Sequence, residues 1–300
     1  VPVSGGKDSQ ACVKYALERH AHERHRLRFV HQNTGYDHPD TYAHLKVMEQ
    51  HYGIAIEDCK AEEYFESDNR FENGVFAVVK SAGYFPNTIA RNCTSTLKQK
   101  PFGDWLVTQA HALGKLNLVN KRIKIASQTI WIYMGMRADE SNDRKTKYGD
   151  LDDDSFIPLN QLSTKYDETF ENVLVQLPLV HKTKDEVFAM LKGDPINPLY
   201  SKGAKRVGCF PCLLAGREDW DMARKDPEGL KHIDRLLELE RDFEKNGSFK
   251  KNGESRKLIK IHTSRDVAHW RQTGEWRNLK DRPPEEKMSE CGWCQTESEN

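Results

Sequence analysis

Ser4-Gly5-Gly6-Lys7-Asp8-Ser9, read SGGKDS, follows Val1-Pro2-Val3 and precedes a stretch of helical pattern. Two adjacent glycines allow a backbone turn with φ > 0 and leave no Cβ between the chain and a ligand, so successive amide N–H groups can converge on an anion. The reading is a phosphate loop between a strand and a helix. Ser9 is expected to cap that helix, whose first-turn amides and positive dipole end add to the anion site. Lys7 brings a full charge, Ser4 and Ser9 bring hydroxyls, and Asp8 is placed either to orient Lys7 or to help hold a metal. A Walker A loop is excluded, because that pattern spaces its glycines as GxxxxGK before Ser or Thr.

Outward from the loop, residues 1–3 predict the tail of a first strand whose earlier residues are missing, since a buried parallel strand runs longer. Ala11, Cys12, Tyr15 and Ala16 recur at helical spacing, and Leu27 and Phe29 open a second strand that ends in His31-Gln32-Asn33-Thr34-Gly35. Pro39 starts a helix that Gly53 caps, and residues 54–56 predict a third strand. Strand alternating with helix predicts an α/β fold, a Rossmann-like parallel sheet with helices on both faces, with ligands at the carboxyl ends of its strands. The SGGKDS loop and the Asn33-Thr34-Gly35 turn both fall at such ends. Further on, the dense apolar run Ile130-Trp131-Ile132-Tyr133-Met134 predicts a central strand that delivers Gly135, Arg137 and Arg144 to its end. Residues 145–169 are polar, with an acidic run at 150–154, and predict a flexible insertion over the site. Thr183 and Glu186 form a capping box before a helix containing Val187, Met190 and Leu191.

Composition bounds the rest. The chain has 300 residues, enough for an α/β core with an appendage, and its formal net charge is zero, so global steering toward nucleic acid is not implied. No apolar run is long enough for a membrane helix and no leader pattern is visible, which makes the cytoplasm the expected compartment. The chain holds 7 cysteines; in that compartment they are thiols or metal ligands rather than disulfides. Cys93 lies between Arg91 and Lys98, cations that stabilise a thiolate and so suit a nucleophile, a sulfur carrier or a metal ligand. Cys209-Phe210-Pro211-Cys212 and Cys291-Gly292-Trp293-Cys294 are two CxxC knuckles, a pattern that suits zinc or an iron–sulfur cluster. The expected division is a nucleotide-binding domain over 1–200 and a Cys-rich, mainly helical region over 201–300. In the latter, Leu230, Ile233, Leu236 and Leu237 define a helix, followed by a basic stretch with Trp270 and Trp276. Basic residues interleaved with aromatics suit either nucleic-acid contacts or a solvated face over packed tryptophans.

SGGKDS resembles the PP-loop of the ATP pyrophosphatase superfamily, the adenine nucleotide alpha hydrolases, which includes the PAPS reductase family. Four further runs resemble family patterns in the same order: NTGYDHP from Asn33, RNCTSTLKQKPF from Arg91, GMRADESNDR from Gly135, and NPLYSKGAKRVGCFPC from Asn197. The resemblance implies an adenine nucleotide held by Ser4, Gly5, Gly6, Lys7, Asp8, Ser9, Asn33, Thr34, Gly35, Arg91, Lys98, Gly135, Arg137 and Arg144. Lys7, Arg137 and Cys93 would carry the chemistry.

APS reductases, which the cysteine pattern resembles, bind a 4Fe-4S cluster through two adjacent cysteines and a GCxPC pair. Here Thr94 follows Cys93, which leaves such a cluster one ligand short unless Cys291 or Cys294 joins Cys93, Cys209 and Cys212. Zinc stays open as the alternative. Three functions follow from these expectations. One is ATP-dependent adenylylation coupled to sulfur transfer, with Mg²⁺ alongside the nucleotide, a sulfur donor protein as partner and nucleic acid as an acceptor. The second is thiol-dependent reduction of PAPS or APS to sulfite, favoured by the Glu290-Cys291-Gly292 tail. The third is a zinc-stapled binding module without catalysis.

Overall fold

A computed structural model describes residues 1–87, 89–119, 122–126, 130–246, 250–251, 254–255, 260–262 and 265–281. The chain divides into two compact units, Val1–Glu62 with Thr94–Cys209, and Glu63–Cys93 with Phe210–Asn300. The tail cysteines Cys291 and Cys294 lie outside the described residues.

In the first unit helix α1 (Lys7–Arg19) is followed by strand β1 (Phe29–Gln32), helix α2 (Pro39–Tyr52) and strand β2 (Ile56–Cys59). β1 and β2 pair in parallel, Phe29 opposite Ile56 and Gln32 opposite Cys59. Residues 1–3 lie along the other edge of β1 in parallel, with Val3 N–H donating to Val30 O at 2.8 Å. Side chains alternate across β1 as a pleat requires. Phe29 packs with Val3, Val13, Leu45 and Met48 toward α1 and α2, while Val30 joins Phe102 and Leu106 on the opposite side. Helices therefore cover both faces, as parallel strands demand. Each fully buried side chain of this kind contributes about 1.5–3 kcal/mol.

Helix α3 (Val75–Ala82) belongs to the second unit. The first unit resumes with a π-helical turn, Ser95–Gln99, leading directly into α4 (Lys100–Ala112). β3 (Leu116–Val119) and β4 (Arg122–Ile125) then pair antiparallel, which the sequence reading did not anticipate. The strand expected at Ile130–Met134 forms as β5 (Ile130–Tyr133), but at an edge of its described sheet and not at the centre: it pairs in parallel with β7 (Val173–Gln176), whose other edge takes β6 (Phe156–Pro158) antiparallel. The flexible insertion expected at 145–169 is corrected by this structure. Helix α5 (Asn142–Tyr148), β6 and a turn at Leu159–Leu162 are built from it, because Tyr148, Leu159, Leu162 and Tyr166 are apolar anchors in the core. Helix α6 (Lys184–Met190) starts on the expected capping box, Glu186 N–H donating to Thr183 Oγ1 at 3.2 Å and Thr183 N–H to Glu186 Oε2 at 2.7 Å.

The second unit is mainly helical: α3, α7 (Arg217–Lys225), α8 (Pro227–Asn246) and α9 (Val267–Thr273). Asp226 caps α8 by accepting from Glu228 N–H at 2.9 Å. The reversal between α7 and α8 needs Gly229, where a Cβ would lie 2.1 Å from Ala223 O. Among the described residues no helix is long and apolar enough to cross a membrane.

Candidate nucleotide site

The loop between residues 1–3 and α1 adopts the conformation its glycines allow. Gly5 has φ 71°, and a Cβ there would meet Thr41 Cγ2 at 2.8 Å. A side chain at Gly6 would press to 3.2 Å on Val207 O. Gly6, not a serine, is the N-cap of α1, and no side chain caps the helix. The capping role expected of Ser9 is thereby corrected. Ser9 lies inside the first turn, donating to Gly6 O at 2.9 Å and accepting Ser4 N–H at 3.1 Å, so it pins the loop from within. The Ser4 and Ser9 hydroxyl oxygens lie 3.1 Å apart.

Charge at the loop is organised by Asp8. Its Oδ2 accepts Lys7 Nζ at 2.6 Å and its Oδ1 accepts Arg137 Nε at 2.6 Å. Lys7 is 3% exposed and Arg137 5%, so the two cations are held in place by one carboxylate with little help from water. Asp8 thus orients both Lys7 and Arg137. Arg137 also donates to Asp139 and, at 3.3 Å, to Lys182 O. It reaches Asp8 because the chain leaving β5 passes through Gly135, where a Cβ would sit 2.3 Å from Asp8 O. Only glycine permits that approach of the two backbones. Arg144 pairs with Glu140, and burial first, then Arg206 nearby, pulls its guanidinium below the ordinary arginine range.

A segment distant in sequence lies across the loop. Asn197, 1% exposed, donates through Nδ2 to Gly5 O at 3.0 Å. The Tyr200 hydroxyl accepts Lys7 N–H at 2.9 Å; burial raises its pKa to about 12, against the opposing pull of that hydrogen bond. Sequence reasoning placed Asn197 and Tyr200 in a family run without assigning them a role. A polar pair flanking Pro198 in NPLY was the available signal. Under the loop, Gln10 ties α1 to α2 by accepting His44 Nε2–H at 3.0 Å, and burial holds the His44 pKa down at about 4.

At the end of β1, Asn33 Oδ1 accepts Gly35 N–H at 2.9 Å and the Tyr42 hydroxyl at 3.0 Å. Gly35 has φ 64°. The Thr34 hydroxyl donates to Asp37 Oδ2 at 3.1 Å and lies 3.6 Å from Cys209 Sγ. Asp37 and Cys209 also form an isolated antiparallel bridge. Burial and the neighbouring Asp37 push the Tyr42 phenol up, keeping it protonated.

The structure thus brings together Ser4, Gly5, Gly6, Lys7, Asp8, Ser9, Gly135 and Arg137, and gathers Asn33, Thr34 and Gly35 at the end of β1 with Cys209. Lys98 lies in the π-helical turn of the first unit. Arg91 and Cys93 fall in the second unit, Arg91 exposed and Cys93 half-buried. Cys212 also belongs to the second unit. Among the described residues no group of three or more His, Cys, Asp or Glu is arranged to hold a metal ion. The described residues therefore do not by themselves supply the ligand set of an iron–sulfur cluster or a zinc ion, and no chemical step is derived through either.

Parallel strands covered by helices on both faces, with a glycine loop opening the first helix, make a mixed α/β fold. A family model described as the phosphoadenosine phosphosulfate reductase domain matches residues 1–215. The chain belongs to the PAPS reductase family, a family that binds adenine nucleotides. It is similar to an uncharacterized 37.8 kDa protein of Escherichia phage 186, 27% identical over 283 residues, covering 80% of this chain and 74% of that one. It is also similar to an uncharacterized protein of Methanocaldococcus jannaschii, 27% identical over 214 residues, covering 71% of this chain and 35% of that longer protein. Among solved structures, a PAPS reductase from Candida auris in a phosphate complex matches with 14% identity and a TM-score of 0.41, over 70% of this chain and 79% of that one.

Proposed function

We propose that this PAPS-reductase-family enzyme binds ATP through the SGGKDS loop and transfers its adenylyl group to an oxygen of an acceptor, as the first half of a sulfur-transfer reaction. The observation that carries the reading is the intact loop with Lys7 and Arg137 both held on Asp8. Two cations aligned by one carboxylate are preorganised for charge that develops as the α–β phosphate bridge breaks. In that step an acceptor oxygen attacks the α-phosphorus, a new P–O bond forms, and pyrophosphate leaves with the bridging oxygen and its electron pair. Sulfur then arrives as the outer sulfur of a cysteine persulfide loaded by a donor protein. It bonds to the activated carbon as AMP departs, and a thiol reductant cleaves the remaining S–S bond. Cys93, Cys209 and Cys212 are the candidate carriers among the described residues. Mg²⁺ would accompany the nucleotide as its counter-ion.

A second reading, reduction of PAPS or APS to sulfite by a thiolate, is supported by the description of the matched family itself. In that reaction the thiolate attacks sulfur, the S–O bond to the phosphate breaks to leave an S-sulfonated cysteine, and a second thiol attacks that cysteine sulfur, forming a disulfide and expelling sulfite. The candidate attacking thiol, Cys291, lies outside the described residues.

Isotope exchange between pyrophosphate and ATP in the presence of acceptor separates the two. Exchange that disappears in Lys7→Ala, with no sulfite formed from PAPS, is the expected result. Stoichiometric sulfite from PAPS without any exchange overturns the first reading in favour of the second.

A further inference from the structure

The family match ends at 215, and beyond it the second unit carries a group of cations with a construction of its own. Trp220 meets Trp270 edge to face at 5.9 Å between centroids, and Trp270 stacks on Trp276 at 4.5 Å. Asp221 Oδ1 accepts both the Trp270 and Trp276 indole N–H groups, at 2.7 and 3.0 Å. This rigid aromatic column supports Arg265, whose guanidinium carbon sits 5.5 Å from the Trp276 ring centre, within cation–π range. Among the described residues Arg265 Nη1 is buried and has no hydrogen-bond partner, an arrangement that is costly for a charged donor.

Carboxylates that would ordinarily satisfy such a group are engaged elsewhere. Asp221 serves the two indoles, Asp266 takes Arg277 at 2.5 Å, and Asp234 takes Arg271 at 2.8 and 3.0 Å. Instead of an acid, Arg265 has another arginine, Arg217, as its electrostatic neighbour. Burial and then the charge of Arg217 hold the Arg265 guanidinium below its ordinary range, and burial, then Arg265 and Arg217, do the same to His262. Arg217 itself is exposed, at the first turn of α7. Like charges gathered on a rigid platform, with one donor left unsatisfied, describe a place for an anion.

We propose that Arg217 and Arg265 bind the phosphate backbone of a nucleic-acid strand. Guanidinium forks match phosphate oxygens. An exposed arginine beside a half-buried one forms an open contact surface, which suits a running backbone better than an enclosed small ligand. Trp276 has one neighbour ring stacked on it and a guanidinium over it, so it acts as support for Arg265. Recognition is therefore through phosphates and independent of base sequence. The inference stands apart from the chemistry proposed for the loop, since all of its residues lie past the family match.

The test is fluorescence anisotropy of short labelled single-stranded oligonucleotides of two unrelated sequences, titrated over a range of salt, with ATP affinity measured in parallel. Equal affinity for both sequences is expected. Arg217→Gln with Arg265→Gln should weaken both alike and flatten the log–log salt slope by about 1.4, the loss of two phosphate contacts on a single strand, while ATP affinity stays at the wild-type value. Replacement of both by lysine, which keeps the charge, should retain most of the slope. No oligonucleotide binding by the wild type, an unchanged slope in the glutamine variant, or equally tight binding of a phosphorylated peptide overturns the proposal.

Discussion

Removing the Asp8 carboxylate tests the organisation of the loop most directly. Asp8→Asn keeps the shape of the side chain but leaves Lys7 and Arg137, 4% and 6% exposed at their side chains, without the anion they share. Deleting one partner of a buried ion pair costs about 3–5 kcal/mol, because the remaining charge stays desolvated. Arg137 retains Asp139 and the Lys182 carbonyl. Lys7 retains little beyond the Phe188 ring at 6.0 Å. The cost therefore falls near the lower bound, about 3 kcal/mol, or a melting temperature about 6–12 °C lower for a domain of this size. Pyrophosphate should reverse the effect. In the wild type it competes with Asp8 for Lys7, whereas in the variant it finds Lys7 without a carboxylate and Arg137 with Asp139 alone. At a concentration a hundredfold above Kd it returns about 2.7 kcal/mol, most of what was lost. The assay is thermal and urea denaturation of both proteins with and without pyrophosphate. A variant within about 1 kcal/mol of the wild type, less than the smallest loss this pairing allows, refutes the reasoning. So does pyrophosphate that stabilises the wild type more than the variant.

Two further outcomes follow from neighbouring groups. Tyr200→Phe removes the oxygen that accepts Lys7 N–H, and leaving that donor unsatisfied should cost about 1–3 kcal/mol in urea denaturation. No loss would mean that the distant segment merely covers the loop. His44, held at about 4 in the folded chain against 6.5 unfolded, takes up its proton only in the unfolded chain between those two values. Stability from this group is complete above pH 6.5 and is lost as pH falls toward 4. His44→Gln, which keeps a donor for Gln10, should flatten the dependence of stability on pH in that window, and an unaltered profile counts against the assignment.

What the sequence disclosed and what it withheld divide along physical lines. Local signals were legible. The adjacent glycines marked the loop, Pro39 and Gly53 bounded α2, and the Thr183–Glu186 box opened α6, because each is a short-range requirement of backbone geometry. The role of Ser9 was misread because a serine near a helix start suits a cap equally well at several positions. Only the loop geometry, with Gly6 at the N-cap, turns its hydroxyl inward. The β3–β4 pair was hidden for a different reason. Leu116, Leu118, Ile123 and Ile125 do alternate with polar residues, yet Leu118 and Ile123 are 75% and 50% exposed, and neither run has the unbroken apolar stretch that marked β5 as a strand. Asn197 and Tyr200 could not be assigned because their partners lie more than 190 positions earlier in the chain.

That long separation puts contacts to the phosphate loop and a thiol on one segment. Within the first unit, Asn197 holds the Gly5 carbonyl, Tyr200 satisfies the Lys7 amide, Val207 presses on Gly6, and two residues later Cys209 brings its sulfur to Thr34. The segment crosses the phosphate loop and finishes at the carboxyl end of β1, so it carries a thiol from one end of the proposed nucleotide site to the other. One of its four contacts is made to a loop backbone group that a phosphate would also address, the amide of Lys7. A nucleotide that displaces the Tyr200 hydroxyl from Lys7 N–H would shift the chain leading to Cys209, whose anchors include the Thr34 hydroxyl, itself held by Asp37, and the backbone bridge to Asp37. Alkylation of Cys209 should therefore change rate when nucleotide binds, and Tyr200→Phe should show part of that change with no nucleotide present. A rate indifferent to both would mean that loop and thiol, though held by one segment, act independently.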